Sequence, residues 1–155
     1  MKKTLTLVTM ALALGVLAPS AALADADPAV AVKADVAKLV SDATARHDAV
    51  IADANKLAAD ANAAKGGTKA AALATIKADL AKLRADRKAA GDILKADRAQ
   101  LKTDLAAAKE AKALKGLRAT LKDARATLKQ QRAEVKQALE AARAAVKDLR
   151  ASFKK

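Results

Sequence analysis

Apolar positions recur in steps of three and four along most of the chain. The first stripe runs through Val36, Leu39, Ala43, His47, Val50, Ala54, Leu57, Ala61 and Ala64. That spacing keeps one face of an α-helix apolar and predicts a helix over residues 28–65. Asp27-Pro28 marks its start, with Asp as the N-cap and Pro at the first helical position. Ser41-Asp42 offers a second capping signal, so a break near residue 40 is an alternative. Gly66-Gly67 is the clearest breaker, and Thr68 is placed to cap the next helix.

A second stripe passes through Leu73, Ile76, Leu80, Leu83, Arg87, Ala90, Leu94, Arg98, Leu101, Leu105 and Ala108, and predicts a helix over 69–115. The two steps of four at Ala90-Leu94-Arg98 form a stutter, which unwinds a supercoil locally. Gly91 beside it is a candidate bend. Gly116 is the second candidate break. A third stripe then runs through Leu117, Leu121, Ala124, Leu128, Arg132, Val135, Leu139, Ala142, Val146, Leu149 and Phe153, for a helix over 117–154. Here Leu117–Asp123 is nearly repeated by Ala124–Gln130, as a coiled-coil heptad would be. A lone Gly is a weak stop, so residues 69–154 could also form one long helix. The expected fold is therefore all-α: an elongated helical hairpin or three-helix bundle with coiled-coil character, its long helices joined by short Gly-containing turns.

A shorter pattern recurs at Lys33–Leu39, Lys77–Leu83 and Lys95–Leu101, each beginning Lys-Ala-Asp and ending in Leu. It suggests growth by duplication of a helical unit. Asp precedes Lys by three at Asp35–Lys38, Asp53–Lys56, Asp79–Lys82 and Asp92–Lys95. Such pairs read as solvated helix surface, each worth a few tenths of a kcal/mol.

The first residues change the setting of these helices. Lys2 and Lys3 precede an uncharged, mostly apolar run from Thr4 to Leu17, and Ala22-Leu23-Ala24 supplies a small-x-small cleavage pattern before Asp25. Residues 1–24 thus read as a cleavable signal peptide, and 25–155 as a single elongated domain in the periplasm or beyond. The apolar run is shorter than the ~20 residues a bilayer span needs. There is no cysteine, which excludes a lipid-modified cysteine and any disulfide.

Composition limits the core. The apolar fraction is 53%, but alanine dominates it and Phe153 is the sole aromatic residue. A large buried side chain stabilises by roughly 1.5–3 kcal/mol and alanine by far less, so long helices packed closely through Ala and Leu are favoured over a bulky core.

Charge is divided unevenly. The chain carries a formal net charge of +13, and the excess lies C-terminal to Gly66-Gly67, while the first helix is slightly acidic. The candidate polyanion-binding face comprises Lys77, Arg84, Lys88, Lys95 and Lys102, followed by Arg118, Lys122, Arg125, Lys129, Lys136, Arg143 and Arg150. Nucleic acid is the usual partner of an Ala/Lys-rich basic chain. Export and the lack of interleaved aromatic residues count against it. The expected partner is instead a protein or an anionic envelope component. Lipopolysaccharide phosphates, anionic headgroups, acidic polysaccharide and acidic unfolded clients all qualify. Membrane-surface binding and homo-oligomerisation are compatible with amphipathic helices.

No catalytic constellation, nucleotide loop or metal-ligand cluster occurs. His47 is the single histidine, and a metal site needs several partners. The chain is expected to be non-enzymatic and without cofactors. In size, basicity and exported helical character it is broadly similar to the small periplasmic chaperones that shield unfolded outer-membrane proteins. That likeness implies a holdase as the alternative function, with lipid-surface binding as another. The Leu-Thr-x-x-Gln motif of one stress-induced periplasmic group is not matched by the nearest stretch, Leu128–Arg132.

Overall fold

The computed structural model describes residues 27–154, and the signal-peptide reading at Ala22, Ala24 and Asp25 lies outside them. Three long α-helices follow one another: α1 (Pro28–Ala63), α2 (Lys69–Glu110) and α3 (Arg118–Ser152). No strand occurs among the described residues. At 1.5 Å per residue the 42-residue α2 is about 63 Å long. Each helix begins and ends for a local reason. The Asp27 side chain accepts from the Ala29 amide at 2.9 Å with Pro28 next in sequence, so α1 starts on a capped, pre-set turn. Thr68 caps α2 by accepting from the Ala71 amide. Ser41-Asp42 does not restart α1, and Gly91 does not interrupt α2; both helices run through these positions.

The first reversal uses a 3-10 turn over Ala64–Gly66 and an extended Gly67. The second lies earlier than expected. α2 ends at Glu110, Lys112 takes left-handed backbone (φ 57), and a 3-10 turn over Ala113–Leu117 leads into α3. Gly116 sits within that turn. The left-handed residue is a lysine, so residues 69–154 are two helices and not one.

α1 is the central helix. Its backbone lies close to both α2 and α3, whereas α2 and α3 hardly approach each other. Alanines on its inner face, Ala43, Ala54 and Ala61, allow that double approach. The core falls into three clusters. The largest joins Val50, Leu57, Ile76, Leu83, Val146 and Leu149 near the first turn. A second packs Val32, Val36, Ala108 and Leu117 at the other end. Between them is a thin waist of Leu39, Ala43 and Leu94. Ala72 is buried where the expected stripe placed Leu73, which is 41% exposed.

The seam between α1 and α2 is ionic. Lys38 donates to Asp42 one turn on, at 2.7 Å, and across the seam to Asp97. Lys56 bridges Asp60 and Asp79 in the same way, and Lys82 bridges Asp86 and Asp53. The Asp–Lys pairs three apart are therefore not simple surface pairs: Asp53, Lys56, Asp79 and Lys82 exchange partners between helices. The cross-seam numbers keep a constant sum of 135, as an antiparallel pair in fixed register requires. A slip of one helical turn would set Lys38, Lys56 and Lys82 against Ile93 or Leu101, Thr75 or Leu83, and Ala49 or Leu57. The lysines are largely exposed, so each pair contributes little stability, and its main effect is on register.

Gly91 offers one test of helix continuity. A Cβ built there meets nothing within 4 Å. Gly91→Ala is expected to stabilise the protein by about 0.5–1 kcal/mol, read as a higher urea midpoint with an unchanged slope.

Candidate anion-binding groove

Because α2 and α3 stay apart, a groove runs between them with α1 as its floor. Near the first turn Leu57, Leu80 and Val146 underlie a cavity of about 440 Å³ bordered by Arg143, Lys147, Arg150 and Lys154. Beside it Arg84 and Arg87 of α2 face Arg143 of α3 over Leu83, Leu139 and Ala142. Farther along, at the waist, Arg46, Arg98 and Arg132 line a cavity of about 100 Å³ together with Leu94, Leu128 and Gln131.

The twelve basic residues expected to form a polyanion face are all exposed. At about 100° per residue, Lys77, Arg84, Lys88, Lys95 and Lys102 fall on the flank of α2 turned toward α3. By the same geometry Arg118, Lys122, Arg125, Lys129, Lys136, Arg143 and Arg150 fall on the flank of α3 turned toward α2. Arg84, Arg143 and Arg150 reach the groove walls, and the others extend the positive surface on either side. Lys136 is the member that pairs with an acid, Glu140 at 3.8 Å.

Sequence reasoning missed the inner arginines: Arg46, Arg87, Arg98 and Arg132. The signal was present, since Arg87, Arg98 and Arg132 stand at positions of the apolar stripes. A charged residue there stands at the edge of the packed face beside the groove, although Arg87, Arg98 and Arg132 are themselves exposed. Among the described residues no arginine joins an ion pair, while Lys38, Lys56, Lys82 and Lys136 all do. Burial, and then the charges of Arg87, Arg98 and Arg132, hold the Arg46 guanidinium below its ordinary value.

Most acids of α1 and α2 lie elsewhere. Asp35, Asp42, Asp53 and Asp60 of α1 and Asp79, Asp86, Asp97 and Asp104 of α2 occupy the α1–α2 seam. The α1–α3 seam is polar. There Gln131 donates to Thr44 at 2.8 Å, and His47 stands between Asp48 at 2.8 Å and Glu134 at 2.7 Å. Both cross-helix pairs are 87 residues apart, so α1 and α3 run parallel in one register. The hydrogen bond to Asp48, and then that to Glu134, raises the His47 pKa. His47 is thus a tie between α1 and α3 through Glu134.

Among the described residues no helix is long and apolar enough to cross a membrane. Comparison with family models, with curated proteins and with solved structures finds no match.

Proposed function

We propose that this chain is an exported, non-enzymatic interaction protein of the bacterial envelope that binds an anionic partner along the α2–α3 groove. The observation that carries this reading is the segregation of charge. Eight aspartates gather along the α1–α2 seam and Glu134 lies in the α1–α3 seam, while arginines that join no ion pair among the described residues line the open groove. A groove of one sign with apolar walls focuses the field and attracts a counter-charged ligand. Its apolar floor at Leu57, Leu80 and Val146 suits a partner with an apolar part as well as charge. Export rests on the sequence of residues 1–24.

The test is binding to a sulfated polysaccharide and to vesicles of anionic lipid over a salt series. Binding is expected to weaken about tenfold or more between 0.05 and 0.5 M salt, since the screening length shrinks from above 10 Å to a few ångströms. Arg84→Gln combined with Arg143→Gln is expected to weaken it further at low salt. Salt-independent binding, or no binding to either probe, would overturn the reading. If the protein instead suppresses aggregation of an unfolded client regardless of salt, the holdase alternative is the right one.

A further inference from the structure

We infer that the waist cavity ringed by Arg46, Arg98 and Arg132 is a binding site for a phosphate group. The inference deepens the groove reading and rests on it, because it names the chemistry recognised at the groove's narrowest point.

Three helices each contribute one arginine to this cavity: Arg46 from α1, Arg98 from α2 and Arg132 from α3. Arg87, about two turns before Leu94 on α2, adds a fourth charge that Arg46 feels. A guanidinium presents a planar fork of donors that matches two oxygens of a phosphate. Forks arriving from three helices suit a tetrahedral group, whose oxygens point in different directions. A carboxylate has only two oxygens in one plane and could engage fewer of them. The walls between the arginines are Ala43, Leu94, Leu128 and Val135, with His47, held by Asp48 and Glu134, beside them; the apolar part strengthens each charged hydrogen bond. The volume of about 100 Å³ is several times the ~10–15 Å³ that one water needs by the same measure.

Gln131 donates through its Nε2 to Thr44, and its Oε1 is buried with no hydrogen-bond partner. An acceptor so enclosed does not face the cavity, so Gln131 serves as wall and as a tie to α1, and the arginines carry the recognition. The location also fits. The waist is where the core is thinnest, so like charges gathered there weaken the free bundle and are relieved when a dianion enters. Groups selected only for stability would not be placed this way.

The experiment is thermal unfolding with inorganic phosphate or pyrophosphate, against chloride at matched ionic strength. The native protein is expected to gain about 3 °C or more at millimolar pyrophosphate. Arg98→Gln and Arg132→Gln are expected to melt at or above the native temperature without ligand, and to lose most of the pyrophosphate gain. Lys65→Gln combined with Lys69→Gln, exposed at the first reversal and outside the proposed binding face, is expected to retain it. An equal gain in all variants, or no gain in the native protein, would overturn the site. If polysaccharide binds while pyrophosphate does not, the cavity inference fails and the groove reading stands. If pyrophosphate binds while polysaccharide and vesicles do not, the groove reading fails and the cavity stands. Vesicles of phosphatidic acid separate the sources: capture lost in Arg98→Gln assigns a lipid headgroup, and pyrophosphate binding without capture assigns a soluble phosphate.

Discussion

Leu57→Ala is expected to destabilise the bundle by about 2–4 kcal/mol, the largest loss of any single truncation in the main core. Leu57 is 2% exposed and is among the largest fully buried side chains. It projects from the central helix into the cluster that unites Ile76 and Leu83 of α2 with Val146 and Leu149 of α3. A typical domain has a total stability of about 5–15 kcal/mol, and this one has few bulky residues to share the load. The neighbours of Leu57 include Ala54, Ala61, Ala72 and Ala142, which are too small to close a void of leucine size. Leu57 also floors two of the groove cavities, so part of the void would open to water, and the loss falls in the middle of the known range. Leu73→Ala provides the comparison. Leu73 is 41% exposed, and its truncation is expected to change stability by less than about 0.5 kcal/mol. Urea unfolding of both variants measures the difference. A Leu57→Ala loss under about 1 kcal/mol would mean that α2 and α3 do not dock together on α1.

The stripes identified the helices because burial in a long bundle depends on little besides 3.6-residue periodicity. Val36, Leu39, Leu83, Leu94, Val146 and Leu149 are stripe residues and are buried. Periodicity is blind to two things. One is the position of a turn when the residue that adopts left-handed backbone is a lysine. Gly116 drew attention, yet the left-handed residue that ends α2 is Lys112. The other is which flank of a helix faces a neighbour. The polyanion candidates were legible as a charge excess on α2 and α3, but one stripe per helix could not show that the two flanks meet across a gap. That gap exists because α1 approaches both partners, a three-dimensional fact. The arginines at stripe positions were the available clue to the waist cavity.

The repeat was legible only in part. Alignment on Lys-Ala-Asp found Lys33–Leu39, Lys77–Leu83 and Lys95–Leu101. It missed residues 51–57, where Ile51 replaces the leading lysine. Anchored instead on the ion pairs, the unit is Ala-Asp-x-x-Lys/Gln-Leu-x-x-Asp. It occurs at 34–42, 52–60, 78–86 and 96–104, two copies on each seam helix. The first aspartate of every copy, Asp35, Asp53, Asp79 and Asp97, keeps its Oδ2 buried without a hydrogen-bond partner. Three copies answer that cost with a lysine on Oδ1. The fourth has Gln100, which donates to Asp104 at 3.2 Å but brings no charge.

Gln100→Lys is therefore expected to stabilise the protein by about 1–2 kcal/mol at pH 7 and to remove a pH dependence that the native chain shows. By the seam register residue 100 faces Asp35, as Lys82 faces Asp53 and Lys38 faces Asp97. Without a cation there, the Asp35 carboxyl is pushed up from 3.8 to about 6, chiefly by burial, then by the hydrogen bond with Asp104 and the charges of Asp104 and Asp97; Lys38 opposes the rise. A carboxyl with a raised folded pKa binds its proton more tightly folded than unfolded. Its contribution is fully present below about pH 4 and is lost as pH climbs from 4 to 6. That interval corresponds to at most ~3 kcal/mol, and partial exposure reduces it to about 1–2. Asp42, Asp60 and Asp86 run the other way. Hydrogen bonds from their lysines lower them, so their contribution is lost as pH falls below the ordinary carboxylate range. His47, raised by Asp48 and Glu134, contributes below 6.5 and loses that contribution as pH rises through its higher folded value. These groups are common to both proteins and cancel in the difference. Unfolding free energies at pH 4, 5, 6 and 7 should then give a Gln100→Lys gain that is near zero at pH 4 and grows to its full value by pH 7. A gain that is flat across the series would mean that Asp35 is already ionised at pH 4 in the native bundle, and that residue 100 is simply a surface position.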